Sequence, residues 1–345
     1  MKKIISLLIL CALLLTICGC GKGEQFKDYS FDSFDTVTTI IGYEKNREDF
    51  DSNCKIIKQK LFEYHKLYNI YNRYEDCVNL AELNESGGEE VSVPSEIIDM
   101  LLLAKEMYSL TNGKCNIAMG NLLSLWHDCR EEAESDPANA KLPEESALKS
   151  AAEQVSIDDV VIDKEKGTVT LKNGVLLDVG AVAKGYAVER VAEWMEENGM
   201  SGYVLNVGGN VRTIGEKPSG ERWTVGIENP DTENEDEPYI EYLQIADRSL
   251  VTSGSYQRFY TVGGKNYHHI IDPATLYPAE YFLSVSVLTK DSGLADALST
   301  ALFTMPYEEG RKLVESLDDV EAMWVSHDGE KSYSANFSEY FLKEK

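Results

Sequence analysis

Apolar and polar positions along this chain switch between a helical and a strand period, and the switches mark the elements. Ile56, Ile57, Leu61, Tyr64, Leu67 and Tyr68 recur at helical spacing and predict an amphipathic helix. Ile97, Ile98, Leu101, Leu102 and Met107 predict a second, with Pro94 at its start, where the fixed φ of proline suits a first turn. Further helices are predicted at 183–198, closed by Gly199, at about 292–304 and at 306–317, the last opened by Pro306. β-Branched runs predict strands at Asp35–Ile41, Val160–Ile162, Thr168–Leu171, Tyr203–Val207, Trp223–Ile227 and Tyr242–Ile245. Leu283–Val287 alternates as a half-buried strand should. The mixture predicts an α+β fold with a large, mainly antiparallel sheet flanked by helices.

Three stretches read as surface. Tyr71–Asn84 is too polar and irregular for an element interior and is expected to be a loop with a binding role. Glu131–Glu145 and Asp231–Glu237 are acidic and read as solvated excursions. At the N-terminus, Met1-Lys-Lys precedes an apolar run, Ile4–Ile17, and then Cys18-Gly-Cys20. The run falls short of the about 20 residues a membrane span needs, so a cleaved export signal is favoured over an anchoring helix. Ile17-Cys18-Gly19-Cys20 resembles the lipobox of bacterial lipoproteins, with Cys20 as the lipidated residue. The expected organisation is a signal peptide over 1–19, a polar tether over 20–28 and one folded domain over 29–345. Such a protein would be held by lipid on the outer face of the cytoplasmic membrane.

A formal charge of −26 with no basic stripe argues against nucleic acid as a partner. Cys54, Cys77, Cys115 and Cys129 lack metal-ligand spacing, which disfavours zinc, and either disulfides or free thiols fit them.

The stretch Asp178-Val-Gly-Ala-Val-Ala-Lys-Gly-Tyr-Ala187 follows the apolar run Gly174–Asp178 and feeds a helical pattern, predicting strand, tight turn and helix. Its small residues let a ligand approach the backbone, and a new helix offers unpaired N–H groups to an anion. Asn206-Val-Gly-Gly-Asn210 puts a second glycine turn at a strand end, and Arg258, His268, His269 and Asp272 fall in one short region. Adjacent histidines in a strand point to opposite faces, so one of the pair faces a given cleft. Asp296 and Thr300 share a helix face with Ser299 beside them, a hard oxygen set suited to Mg²⁺. Taken singly, each of these has a plain packing explanation that is the more frequent one.

Together, Asp178–Ala187, Asn206–Asn210, Ser253-Gly-Ser-Tyr256, His268-His-Ile-Ile-Asp-Pro273 and Asp296-Ala-Leu-Ser-Thr-Ala301 resemble, in order, the ApbE family of FAD:protein FMN transferases. The resemblance implies an exported, Mg²⁺-dependent enzyme that moves FMN from FAD onto a threonine or serine of a target protein and releases AMP. It implies that Asp296, Thr300, Ser299 and the carbonyl of Ala181 serve the metal and that Asp178 and Lys184 contact FAD. Phe34 falls at a flavin-site position, Tyr74 where an aromatic stacks on the flavin, and Cys115, Asn116 and Ile117 in the stretch lining the FAD pocket. His269 is the first choice for the base that takes the acceptor's proton, with His268 in reserve. Leu276 stands where the family has a glycine, at a turn that needs special backbone angles. The acceptor is expected to be an extracytoplasmic protein of a redox system. An FAD-holding lipoprotein without transfer, and a pyrophosphatase giving FMN and AMP, are the alternatives.

Overall fold

The computed structural model describes residues 23–234 and 236–343. The expectations for the signal peptide and for Cys20 lie outside the described residues. In chain order the elements are β1 (Glu24–Ser30), β2 (Thr38–Glu44), α1 (Arg47–Tyr68), α2 (Leu80–Asn84), β3 (Val91–Ser92), α3 (Ser95–Leu110), α4 (Gly120–Ser135) and α5 (Glu145–Ala151). Then come β4 (Val160–Asp163), β5 (Thr168–Leu171), α6 (Ala183–Glu197), β6 (Tyr203–Val207), β7 (Asn210–Ile214), β8 (Trp223–Glu228), β9 (Tyr239–Ile245) and β10 (Ser249–Gly254). The chain closes with β11 (Phe259–Val262), β12 (Lys265–His268), β13 (Ser284–Thr289), α7 (Ser292–Phe303), α8 (Tyr307–Glu315), β14 (Glu321–Val325) and β15 (Lys331–Tyr333).

Local chemistry sets the helix ends. Asn46 caps α1 by accepting from the N–H of Asp49, and Glu48 and Asp49 in the first turn with His65 and Lys66 in the last suit the helix dipole. Asp291 caps α7 through the N–H of Leu294 at 2.8 Å. The main sheet runs β1-β2-β6-β7-β10-β13-β14-β15, eight strands paired antiparallel throughout. This is the α+β architecture the sequence predicts. Side-chain alternation sends Val251, Val285 and Val287 into a core shared with α3, α6 and α7. Leu250, Leu288, Met323 and Val325 point the other way, into a core under β8 and β9. With both faces covered, all six residues of β13 are buried, so the strand is fully rather than half buried.

Four boundaries differ from the sequence reading. β1 begins at Glu24, inside the expected tether, because it pairs with β2 from Glu24↔Glu44 to Ser30↔Thr38 and packs Phe26 on Phe50. Gly174 sits in a turn with φ +74°, and Val175–Asp178 joins no sheet. Its backbone is satisfied by Ile117 O, by Gly120 N–H, and by the Asn84 amide, which accepts from Leu177 N–H at 2.8 Å and donates to Leu177 O at 2.9 Å. Glu131–Ser135 continues α4, with Ala133 buried, so only the remainder of that acidic run is a surface loop. Tyr71–Asn84 ends in α2, whose Leu80, Ala81 and Leu83 are core residues. Cys54, Cys77, Cys115 and Cys129 are free thiols, and burial pushes those of Cys54 and Cys115 up to about 12.

Candidate active site

The crossing of α6 and α7 builds one wall of a cavity of about 700 Å³. The two helices meet at Gly185, where a Cβ would lie 2.3 Å from Ser292 O and 2.4 Å from Asp296 Cβ. Only glycine permits that approach, and it lets Gly185 N–H donate to Asp296 Oδ2 at 2.7 Å. One turn further along α6, buried Glu189 accepts from Ser292 N–H at 2.7 Å and forms a buried ion pair with Arg212 of β7 at 3.1 Å. The first turn of α7, and with it Asp296, is thereby tied to both α6 and the sheet.

The turn between β6 and β7 supplies the next wall. Gly208 has φ +53°, and a Cβ there would sit 2.3 Å from Thr36 Oγ1. Lys184 Nζ donates to Gly208 O at 2.9 Å. Asn210 follows the turn, lies against the Asp296 carboxylate and is buried, with neither end of its amide in a well-formed hydrogen bond.

Lys184 and Asp296 are each bonded to main chain rather than to one another. Burial drives the Asp296 carboxyl above its usual range, opposed by the Lys184 charge, the Gly185 N–H and Asn210. Burial drives the Lys184 ammonium down, opposed by Asp296 and reinforced by Arg258. Asp178 is raised by burial and held back by the Gly180 N–H, which donates to it at 2.9 Å. Two groups of opposite sign, Asp296 buried and Lys184 half-buried, face one cavity without direct contact and suit a ligand with an anion at one point and a cation at another.

The two histidines divide their work. His268 Nε2 meets Ala279 O at 2.8 Å, its Nδ1 accepts from Ile270 N–H at 3.2 Å, and its ring stands edge-on to Phe303. Both nitrogens are therefore committed to structure. His269 Nδ1 donates to Arg258 O at 3.2 Å, which leaves Nε2 with a lone pair. His269 is exposed toward the cavity, and desolvation there, then the charges of Arg258 and His268, lower its pKa, so the ring is neutral.

Phe34, Asn116, Asp178, Ala181, Lys184, Asp296, Thr300, His268 and His269 line this cavity. Four other expected site residues do not. Tyr74 instead places its hydroxyl 3.3 Å from His65 Nε2, and Tyr71 is the aromatic that this segment puts on the cavity wall, stacked on His127 with ring centroids 5.0 Å apart. Cys115 and Ile117 alternate inward around Asn116 and are core residues. Ser299 is fully buried behind Ser253, whose hydroxyl it meets at 2.8 Å. Asn116 itself is fixed by donating to Val155 O and accepting from Ala118 N–H, both at 2.9 Å. Leu276 takes φ +65°, the left-handed conformation a glycine would favour, and Trp126 Nε1 donates to its carbonyl at 3.0 Å.

Sequence reasoning missed Thr36, Lys114, His127 and Arg130, which also line the cavity. The available signal was charge. In a chain of −26, Lys114, Arg130, Lys184 and Arg258 converge here and balance Asp35, Asp178, Glu228 and Asp296, so the cavity lining is neutral.

Fold and site together define an α+β protein with a cavity of about 700 Å³, lined by aromatic rings and by charges of both signs. The chain belongs to the ApbE family, whose pattern it matches over residues 34–324. It is 32% identical over 271 residues to an FAD:protein FMN transferase of Klebsiella pneumoniae (strain 342), covering 76% of this chain and 81% of that one. It is 27% identical over 328 residues to that of Haemophilus influenzae, covering 91% of each. The ApbE protein of Thermotoga maritima superposes with a TM-score of 0.80 at 27% identity, over 93% of this chain and all of that one. The flavin transferase ApbE of Vibrio cholerae shares the fold, with a TM-score of 0.76 at 24% identity, over 92% of this chain and 100% of that one.

Proposed function

We infer that this chain is an FAD:protein FMN transferase, moving the FMN part of FAD onto a threonine or serine hydroxyl of a target protein and releasing AMP. The observation that carries the reading is the cavity in which half-buried Lys184, buried Asp296, Thr300 and a neutral His269 face one space.

Mg²⁺ fits the residues present. Asp296, Thr300 and the carbonyl of Ala181 are all oxygen donors, and the unpartnered amide of Asn210 sits against Asp296. Among the described residues there is no group of three or more His, Cys, Asp and Glu that could hold a metal, so the shell would be completed by water and ligand phosphates, as Mg²⁺ prefers. When bound there, the ion would offset negative charge on the phosphates.

The chain's own residues supply the rest. Lys184, held by Gly208 O, faces the pyrophosphate; Asp178 and Asn116, both fixed by main-chain bonds, contact the nucleotide; Phe34 and Tyr71 cover its rings. His269 Nε2 accepts the proton of the acceptor hydroxyl as its oxygen bonds to the FMN-side phosphorus. The bridging P–O bond breaks in line, and its electrons leave with AMP. We further propose that residues 1–19 export the chain, that Cys20 is lipidated, and that the acceptor is an extracytoplasmic redox protein.

The test is to incubate the protein lacking residues 1–20 with FAD, Mg²⁺ and a candidate acceptor domain, following AMP release and in-gel flavin fluorescence. Both signals together, lost on chelation and restored by Mg²⁺, are the expected result. AMP without a fluorescent acceptor for any acceptor tried would replace transfer by hydrolysis, and bound FAD without AMP would leave a flavin-holding protein.

A further inference from the structure

The cavity wall between β1 and β2 is held in an unfavourable backbone state. Phe34 and Asp35 are successive side-chain-bearing residues with φ of +57° and +49°. The left-handed region is costly for such residues, and two in a row need an outside tie. That tie is a side chain of α1. Phe34 N–H donates to His65 Nδ1 at 3.1 Å, and the Phe34 ring stands edge-on to the imidazole, 5.6 Å between centroids. The other ring nitrogen faces the Tyr74 hydroxyl at 3.3 Å, and Phe62 stacks on the ring. Nδ1 is thus an acceptor, and Nε2 carries the proton toward Tyr74.

We propose that His65 is a positioning residue that fixes the Phe34–Asp35 wall for FAD, and that it does so only while its imidazole is neutral. The proposal rests on the reading of the cavity as the FAD site. Protonating Nδ1 would set one N–H against another and release the wall. The groups facing His65 are the Asp35 carboxylate from the turn itself and the Tyr74 hydroxyl from the segment after α1. Lys66, next on the helix, is engaged by Asp76. Burial favours the neutral ring and Asp35 opposes it, so the hold is present at neutral pH and lost as the solution is acidified.

The role of Tyr74 follows from the same geometry. Its place in the site is one step removed from the ligand, orienting the imidazole that holds Phe34. Two near-isosteric substitutions separate positioning from bulk. In His65→Asn the amide oxygen can take the place of Nδ1 and accept from Phe34 N–H without titrating. In His65→Gln the amide reaches the Nε2 position and leaves Phe34 N–H unpaired.

The experiment measures FAD binding to the full chain in detergent by quenching of flavin fluorescence, from about pH 8 down to about pH 4, because burial moves this ring below the ordinary histidine range. The parent should bind more weakly as pH falls. His65→Asn should keep the neutral-pH affinity within about threefold and lose the weakening in acid, whereas His65→Gln should bind about tenfold more weakly at every pH, the scale of one unsatisfied donor. Binding by His65→Gln equal to the parent's, or parent-like acid weakening in His65→Asn, would overturn the proposal while leaving the functional reading intact. A parent that takes up no FAD at any pH would remove that reading and this role with it. Hydrogen exchange of the Phe34 amide in the parent, corrected for intrinsic rate, needs no variant. It should lose protection in acid ahead of its neighbours in β2, and uniform protection would count against the switch.

Discussion

Gly185→Ala tests whether the α6–α7 crossing places the chemistry. The new methyl carbon would sit 2.3 Å from the main-chain oxygen of Ser292 and 2.4 Å from Asp296 Cβ, where ordinary contact begins at 3.4 Å. Neither obstacle is the free end of a flexible side chain, so relief requires the helices to part by roughly 1 Å. Overpacking of this kind costs about 1–3 kcal/mol. For a chain of this size that lowers Tm by roughly 2–4 °C. The catalytic loss should be larger in proportion, because a shift of about 1 Å in a positioned group costs on the order of 10²-fold in rate. The shift falls on Asp296 itself, whose Oδ2 now accepts from Gly185 N–H at 2.7 Å. The assay is AMP release from FAD with Mg²⁺ and acceptor, alongside a thermal melt of the same preparation. A Gly185→Ala protein with the parent's rate and Tm would refute the claim that this crossing sets the geometry.

Two other substitutions separate the roles assigned above. Asp296→Asn should abolish AMP release yet raise the Tm of metal-free protein at neutral pH. The folded-state pKa of Asp296 is raised, so its stabilising share is complete only below the unfolded pKa and is lost as pH rises through the folded one. The gap in Tm between the two proteins should close as the solution is acidified. His269→Ala should lower transfer by about 10²-fold or more and leave FAD binding within about threefold, since only the proton acceptor is removed; transfer at the parent rate would move the base elsewhere.

The sequence disclosed most where one physical rule governed a stretch. The helices α1, α3, α6, α7 and α8 follow from apolar spacing with Pro94, Gly199 and Pro306 as punctuation, and the strands from β-branched runs. It misled where tertiary partners substituted for regular ones. Gly174–Asp178 has the apolar run of a strand, but its neighbour is a side-chain amide, Asn84, ninety-three residues away in sequence. Tyr71 and Tyr74 are equivalent in an irregular segment until the backbone is known. Asn69 Oδ1 accepts from Tyr71 and Asn72 N–H, and Asn79 ties down Asn72 O at 2.7 Å, so the chain turns to put Tyr71 on the cavity and Tyr74 on His65. Glycine motifs and the Asp296–Thr300 pair were visible because their chemistry is local. Lys114, His127 and Arg130 were not, because cationic side chains brought together from separate elements leave no contiguous mark.

The charge-balanced lining of the cavity has a kinetic consequence. FAD brings a negatively charged pyrophosphate to a body of −26 and must cross a repulsive field before reaching a site that does not itself repel it. That field is felt over roughly 8–10 Å at physiological ionic strength and further in dilute buffer. Electrolyte therefore acts on this protein in the sense opposite to that familiar from basic nucleotide-binding proteins, easing the approach of the dinucleotide while the contacts made inside, sheltered from the solution, keep their strength.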